Sequence, residues 1–79
     1  MKALANRRRL VILKFLKGNG RATVGDISRE INLSFKATSK HLRLLAAADI
    51  IEREQIGLQM WYRLVEKLPD GVKPILLIL

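Results

Sequence analysis

The stretch TVGDISREINLSFKATSKHLRLLAAA, residues 23–48, contains two helical patterns that are separated by only three residues. In its first part, Thr23 and Asp26 have the spacing of a capping box, which favours the start of a helix at this point. Apolar residues then recur with the helical spacing i, i+3 and i+7, at Val24, Ile27 and Ile31. This part therefore predicts a short helix of about two turns.

The three residues between the patterns are Asn32, Leu33 and Ser34. Asn32 tolerates the left-handed backbone conformation that ends a helix, and Ser34 is a good N-cap for the next helix. Two helices joined by so short a connection form the tight corner of a helix-turn-helix.

The second pattern predicts a helix from Phe35 to about Ala48 with one apolar and one basic side. Its inward stripe consists of Thr38, His41, Leu42 and Leu45. The opposite side carries Lys36, Ser39, Lys40 and Arg43, and no acidic residue occurs before Asp49. A solvated helix face usually mixes charges of both signs, because opposite charges at i,i+4 stabilise a helix. A face with only basic and hydroxyl side chains therefore predicts contact with a phosphate backbone.

The charge of the chain is unevenly distributed. The net charge is +8 over 79 residues, and residues 1–48 contribute +9 whereas residues 49–79 contribute −1. A basic N-terminal part favours a polyanionic partner, most often nucleic acid, although many small proteins are basic simply for solubility. Cysteine is absent, so nothing supports an oxidising compartment. No apolar run approaches the ~20 residues of a membrane span, and we expect a cytoplasmic protein without membrane contact.

The segments on either side of this stretch complete the predicted fold. Asn6 caps a first helix that ends at Gly18-Asn19-Gly20. The segments IIEREQ and QMWYRLV are typical of strands, and Gly57 between them predicts a β-hairpin. The fold class is therefore α+β and mainly helical, a winged helix-turn-helix of three helices followed by a two-stranded wing over residues 1–65. Residues 66–79 form an apolar tail that packs on its own domain or on a second copy, as a possible dimerisation segment.

The chain resembles the ArsR/SmtB type of winged helix transcriptional repressors over most of its length. The similarity lies in ALANRRRLVILKFL, in the helix-turn-helix with its following strand, and in GLQMWYRL, which is similar to a second wing strand. The resemblance implies that the helix at Ser34–Leu45 enters the major groove of double-stranded DNA, and that a homodimer faces two half-sites about one turn apart. The expected DNA-binding residues are Phe35, Lys36, Thr38, Ser39, Lys40, Arg43 and Arg53.

The roles expected for these residues differ. Lys36, Lys40 and Arg43 neutralise phosphates, whereas Thr38 and Ser39 reach the backbone or base edges. Phe35 contacts a thymine methyl or belongs to the core or an interface. The wing is poor in cations, with Arg53 as its best phosphate contact.

No catalytic, cofactor or metal site is expected. At the positions where the family carries its Cys-x-Cys metal site, this chain has Thr23 and Gly25, which offer no thiolate. Ser39 and His41 are two residues apart on one helix, so they cannot form a nucleophile and base pair. We interpret His41 as a partly buried member of the inward stripe. Two alternatives to DNA binding remain open, a winged helix used as a protein-interaction module and an RNA-binding domain.

Overall fold

The computed structural model describes all 79 residues, which form four α-helices and a three-stranded sheet. A short 3-10 helix at Lys2–Leu4 precedes them. In chain order the elements are α1 (Arg7–Asn19), β1 (Arg21–Thr23), α2 (Val24–Ile31), α3 (Phe35–Ala47), β2 (Ile51–Ile56), β3 (Gln59–Leu64) and α4 (Val72–Ile78). The predicted winged helix-turn-helix is confirmed. None of the helices combines the length and the hydropathy that crossing a membrane requires.

The helix-turn-helix is held by the local signals that predict it. The Thr23 hydroxyl accepts from the Asp26 N–H at 3.2 Å, and the Asp26 carboxylate accepts from the Thr23 N–H at 3.2 Å. Asn32 ends α2 with a left-handed φ of 55°, and Ser34 caps α3 by accepting from the Ala37 N–H at 3.1 Å. These side chains satisfy backbone groups that helix ends leave unpaired, so the angle between α2 and α3 is fixed by short-range chemistry.

The sheet is antiparallel with the strand order β1-β3-β2. The predicted hairpin corresponds to β2 and β3, joined by a two-residue turn in which Gly57 has a φ of 62°. The third strand is not predicted from the sequence, because β1 has only three residues between two helices and shows no alternation. It is stabilised by pairing with the wing, where Ala22 lies opposite Tyr62.

The core lies between the helices and one face of the sheet. α1 contributes Ile12 and Leu13, whose side chains are fully buried, and α4 adds Val72 and Leu76 to the same cluster. The tail therefore folds as a helix whose inner side packs on its own domain, while Leu77 and Ile78 remain exposed. The division of the chain at residue 65 and a dimerising role for residues 66–79 stay predictions.

Candidate nucleic-acid interface

The outer side of α3 is a cationic surface that is open to solvent. Lys36, Lys40 and Arg43 are exposed and border one shallow depression together with Ser34. The two ion pairs of the structure, Arg29–Asp26 and Arg63–Glu52, lie on other elements. The three cations of α3 therefore have no carboxylate partner, and their charge is available to an external anion. We call this outer side, with Lys36, Lys40 and Arg43, the α3 cationic face.

The remaining predicted residues of α3 lie at different depths. Phe35, at the start of the helix, is 63% exposed and borders the α3 cationic face, and Ser39 is half-buried. The prediction that Thr38 contacts DNA is wrong, because its side chain is completely buried and its hydroxyl has no hydrogen-bond partner. The inward stripe of α3 takes it into the core, so it cannot reach a DNA backbone or a base edge in this conformation.

The wing carries its charges on opposite faces. Arg53 lies directly opposite Tyr62 in the hairpin, on the face that continues from the core. Because side chains alternate along a strand, Glu52 and Glu54 project from the other face. There Glu52 binds Arg63, with 2.9 Å between Oε1 and Nε. Arg53 is exposed and has no ion pair, as its predicted role requires. The turn itself offers no cation, and Leu58 at its tip is fully exposed.

A groove separates α3 from the wing. It is lined by Leu42, Arg43, Ala46, Ala47, Arg53 and Tyr62. The groove brings Arg43 and Arg53 to one site, although they are distant in sequence. Sequence reasoning missed Tyr62 as a member of this site. The only sequence signal for it was its predicted position in the strand that pairs with Arg53.

His41 connects α3 to the N-terminal part of the chain. Arg9 donates from Nη1 to His41 Nδ1 at 3.3 Å, from Nε to the Ala3 carbonyl at 2.6 Å and from Nη2 to the Lys2 carbonyl at 3.3 Å. These acceptors show how a cation in the first turn of α1 is accommodated despite the unfavourable helix dipole. Since Nδ1 accepts a hydrogen bond, His41 is neutral and carries its proton on Nε2.

We expect His41 to contribute to the loss of stability of the protein at acidic pH. Burial lowers the pKa of this imidazole below its ordinary 6.5, and the positive charges of Arg9, Arg8 and Lys40 lower it further. The unfolded chain therefore binds this proton first, and stability falls as the pH drops below about 6.5 until the folded pKa is passed. We expect the free energy of unfolding to be smaller at pH 5.5 than at pH 7. In the His41→Gln variant, the difference between the two pH values should be smaller than in the wild type.

The protonation state can also be measured directly. The chain has one histidine, so its ring signals in a proton NMR titration belong to His41 without ambiguity. A titration midpoint at or above 6.5 would contradict the contact between Arg9 and His41.

Side chains that could bind a metal are dispersed over the surface. No group of three or more His, Cys, Asp or Glu side chains lies close enough together to hold a metal ion. The carboxylate of Asp26 is instead part of the capping box at the start of α2. Its pKa is lowered by the hydrogen bonds from the backbone and side chain of Thr23 and by the charge of Arg29.

Comparison with known proteins places this geometry in a family. The model of the helix-turn-helix domain family matches residues 4–54. The transcriptional repressor SdpR of Bacillus subtilis is 38% identical over 63 residues, which cover 80% of this chain and 69% of SdpR.

Two solved structures extend the similarity to nearly the whole chain. HlyU from Vibrio cholerae has a TM-score of 0.82 at 32% identity, over 98% of this chain and 79% of HlyU. The homodimeric winged helix-turn-helix DNA-binding domain of Mb0332 from Mycobacterium bovis, described as a possible ArsR-family regulator, has a TM-score of 0.83 at 30% identity, over 98% of this chain and 68% of that domain. The chain therefore belongs to the helix-turn-helix domain family, as an ArsR/SmtB-type winged helix regulator of transcription that binds DNA.

Proposed function

We propose that the protein is a repressor that inserts α3 into the major groove of double-stranded DNA. The observation that carries this proposal is the α3 cationic face, where three exposed cations have no acidic partner within the protein. Ion pairs with phosphates would satisfy these charges and release counterions from the DNA, which is the main source of affinity that does not depend on sequence.

The positions of the side chains support the following contacts. Lys36, Lys40 and Arg43 bind phosphates on the edges of the groove and thereby fix the register of α3. Ser39 donates to the backbone or to a base edge, and the exposed ring of Phe35 packs on a thymine methyl. Arg53 adds one phosphate contact from the wing.

The DNA-binding unit is a homodimer. A single α3 reads only a few base pairs, so useful specificity requires two copies on half-sites about one helical turn apart. Two findings support this assembly: the similar domain of Mb0332 is homodimeric, and the end of α4 exposes Leu77 and Ile78. Similarity to SdpR, a transcriptional repressor, supports repression as the outcome of binding.

The regulator works in the cytoplasm without catalysis and without a metal ion. Ser39 and His41 point in different directions on α3, so neither activates the other. The absence of thiols at Thr23 and Gly25 argues against the cysteine-based metal site of the family.

A titration of the wild-type protein with random 30-bp duplex DNA, followed by fluorescence anisotropy, tests the proposal. We expect binding at 50 mM salt that weakens steeply and log-linearly as the salt concentration rises, because about three or four phosphate contacts are formed by each copy. Light scattering after size exclusion should give twice the mass of the 9.0 kDa chain. Binding that is absent or insensitive to salt would contradict the proposal.

A second function is favoured by one observation at the wing. Leu58 is fully exposed and its neighbour Ile56 is 40% exposed, so the tip of the hairpin offers apolar contacts instead of cations. Such a tip suits a protein-interaction module in a transcription or replication assembly. The same titration separates the two functions, since a docking module would bind random duplex weakly and without steep salt dependence.

A further inference from the structure

The groove between α3 and the wing contains a hydroxyl group that the fold does not use. Tyr62 is only 9% exposed, yet its hydroxyl makes no hydrogen bond within the protein. The only fully buried side-chain polar atom without a partner is Thr38 Oγ1. The Tyr62 hydroxyl is therefore not sealed in the core, and Tyr62 is one of the residues that line the groove.

Two guanidinium groups border the same groove. Arg43 reaches it from α3 and Arg53 from β2, and neither has an ion pair. The carboxylates of the wing do not compete, because Glu52 and Glu54 lie on the other face of the hairpin, where Glu52 binds Arg63. The floor of the groove is apolar, formed by Leu42, Ala46 and Ala47.

This combination of groups fits a tetrahedral anion. Guanidinium groups bind phosphate oxygens with paired, charge-assisted hydrogen bonds, and a phenol adds one more donor at a fixed position. The apolar floor excludes water from one side, which strengthens the electrostatic attraction. The ring of Tyr62 is held by the core, so its hydroxyl is already oriented before the anion arrives.

We propose that the groove binds one phosphate of the DNA backbone, with Tyr62 donating to a phosphate oxygen between Arg43 and Arg53. The inference rests on the proposed function and adds a positioning residue that joins the wing to α3. Continuity favours a DNA phosphate over free phosphate, because Arg43 belongs both to the groove and to the α3 cationic face. A phosphate held here would lock the wing and α3 into one register on the duplex.

Tyr62→Phe tests the proposal, because it removes the hydroxyl and keeps the buried ring. We expect affinity for random duplex DNA to fall about 3- to 10-fold, the effect of losing one hydrogen bond. The salt dependence should be unchanged because no charge is removed, whereas Arg53→Ala should reduce its slope by about one. Trp61→Phe is the matched control. It alters the adjacent residue on the opposite face, where Arg21 stacks over the indole at 4.9 Å, and it should leave affinity unchanged.

The outcomes separate this inference from the proposed function. If the wild type binds duplex and Tyr62→Phe binds equally well, the groove assignment is wrong and the proposed function stands. If the wild type binds no duplex, both are wrong.

A second measurement uses the wild type only, so it tests the proposal even if the Tyr62→Phe variant does not fold. Tyr62 is the only tyrosine, so its ring signals in NMR must shift when duplex is added. A shift with millimolar inorganic phosphate but none with duplex would overturn the assignment to DNA.

Discussion

The double substitution Lys40→Ala with Arg43→Ala is expected to weaken DNA binding by roughly 10- to 100-fold at 0.1 M salt. Each phosphate contact that is removed means that about one counterion fewer is released from the DNA on binding. This lowers the affinity by up to about tenfold at this salt concentration. Both side chains are exposed and unpaired, so the fold loses no ion pair. Anisotropy with random duplex measures the affinity, and circular dichroism with thermal unfolding confirms that the variant is folded.

A variant with the same change of net charge separates a local effect from a global one. Lys14 on α1 and Lys73 on α4 are exposed and lie outside the α3 cationic face. Lys14→Ala with Lys73→Ala should therefore lower the affinity by only a few-fold, through the long-range field. Equal losses in the two double variants would show that net charge attracts DNA and that α3 has no special role.

Leu42→Ala is expected to destabilise the domain by about 2–5 kcal/mol, the usual cost of truncating a buried leucine. Leu42 is completely buried on the inner side of α3 and also forms part of the floor of the groove. A domain of this size has a total stability of roughly 4–12 kcal/mol, so the loss is a large fraction of the whole. Urea denaturation followed by circular dichroism measures it as a lower midpoint.

Leu44, two residues further along the same helix, is the matched control. It is 43% exposed, so Leu44→Ala should cost less than about 1 kcal/mol. A similar loss at both positions would mean that the inner and outer sides of α3 are assigned incorrectly. The stability of the domain would then not depend on the inward stripe that orients the α3 cationic face.

The parts of the fold that the sequence predicts are those held by neighbours in sequence. Thr23, Asp26, Asn32 and Ser34 bond to backbone groups within a few residues, so their pattern is sufficient to predict the helix-turn-helix. In contrast, β1 depends on pairing with β3, which is about 40 residues away in sequence. A three-residue strand has no period of its own to signal such a partner.

The tail and the groove show the same limit. From its sequence the segment of residues 74–79 could be helical or extended, since Pro74 suits either the first turn of a helix or an extended segment. Burial of Val72 and Leu76 against the rest of the core selects the helix. Tyr62 reaches the groove only because the hairpin packs beside α3, and no local pattern predicts that arrangement.

Thr38 shows that helical periodicity should have limited the predicted set of DNA-binding residues. Its spacing from Leu42 and Leu45 puts it in the middle of the inward stripe, on the side of α3 away from the cations. The structure agrees with that spacing and buries the hydroxyl without a partner. The exposed surface of α3 therefore holds fewer of the predicted DNA-binding residues than expected, and its charge is concentrated in Lys36, Lys40 and Arg43.

The claim that these cations bind phosphates is tested most directly by the salt dependence of binding. The logarithm of the association constant is measured against the logarithm of salt concentration for the wild type and for Lys40→Ala with Arg43→Ala. We predict that the slope becomes shallower by up to about two units for each bound copy, since two phosphate contacts are lost. Identical slopes would contradict the account, because they would mean that Lys40 and Arg43 displace no counterions from DNA.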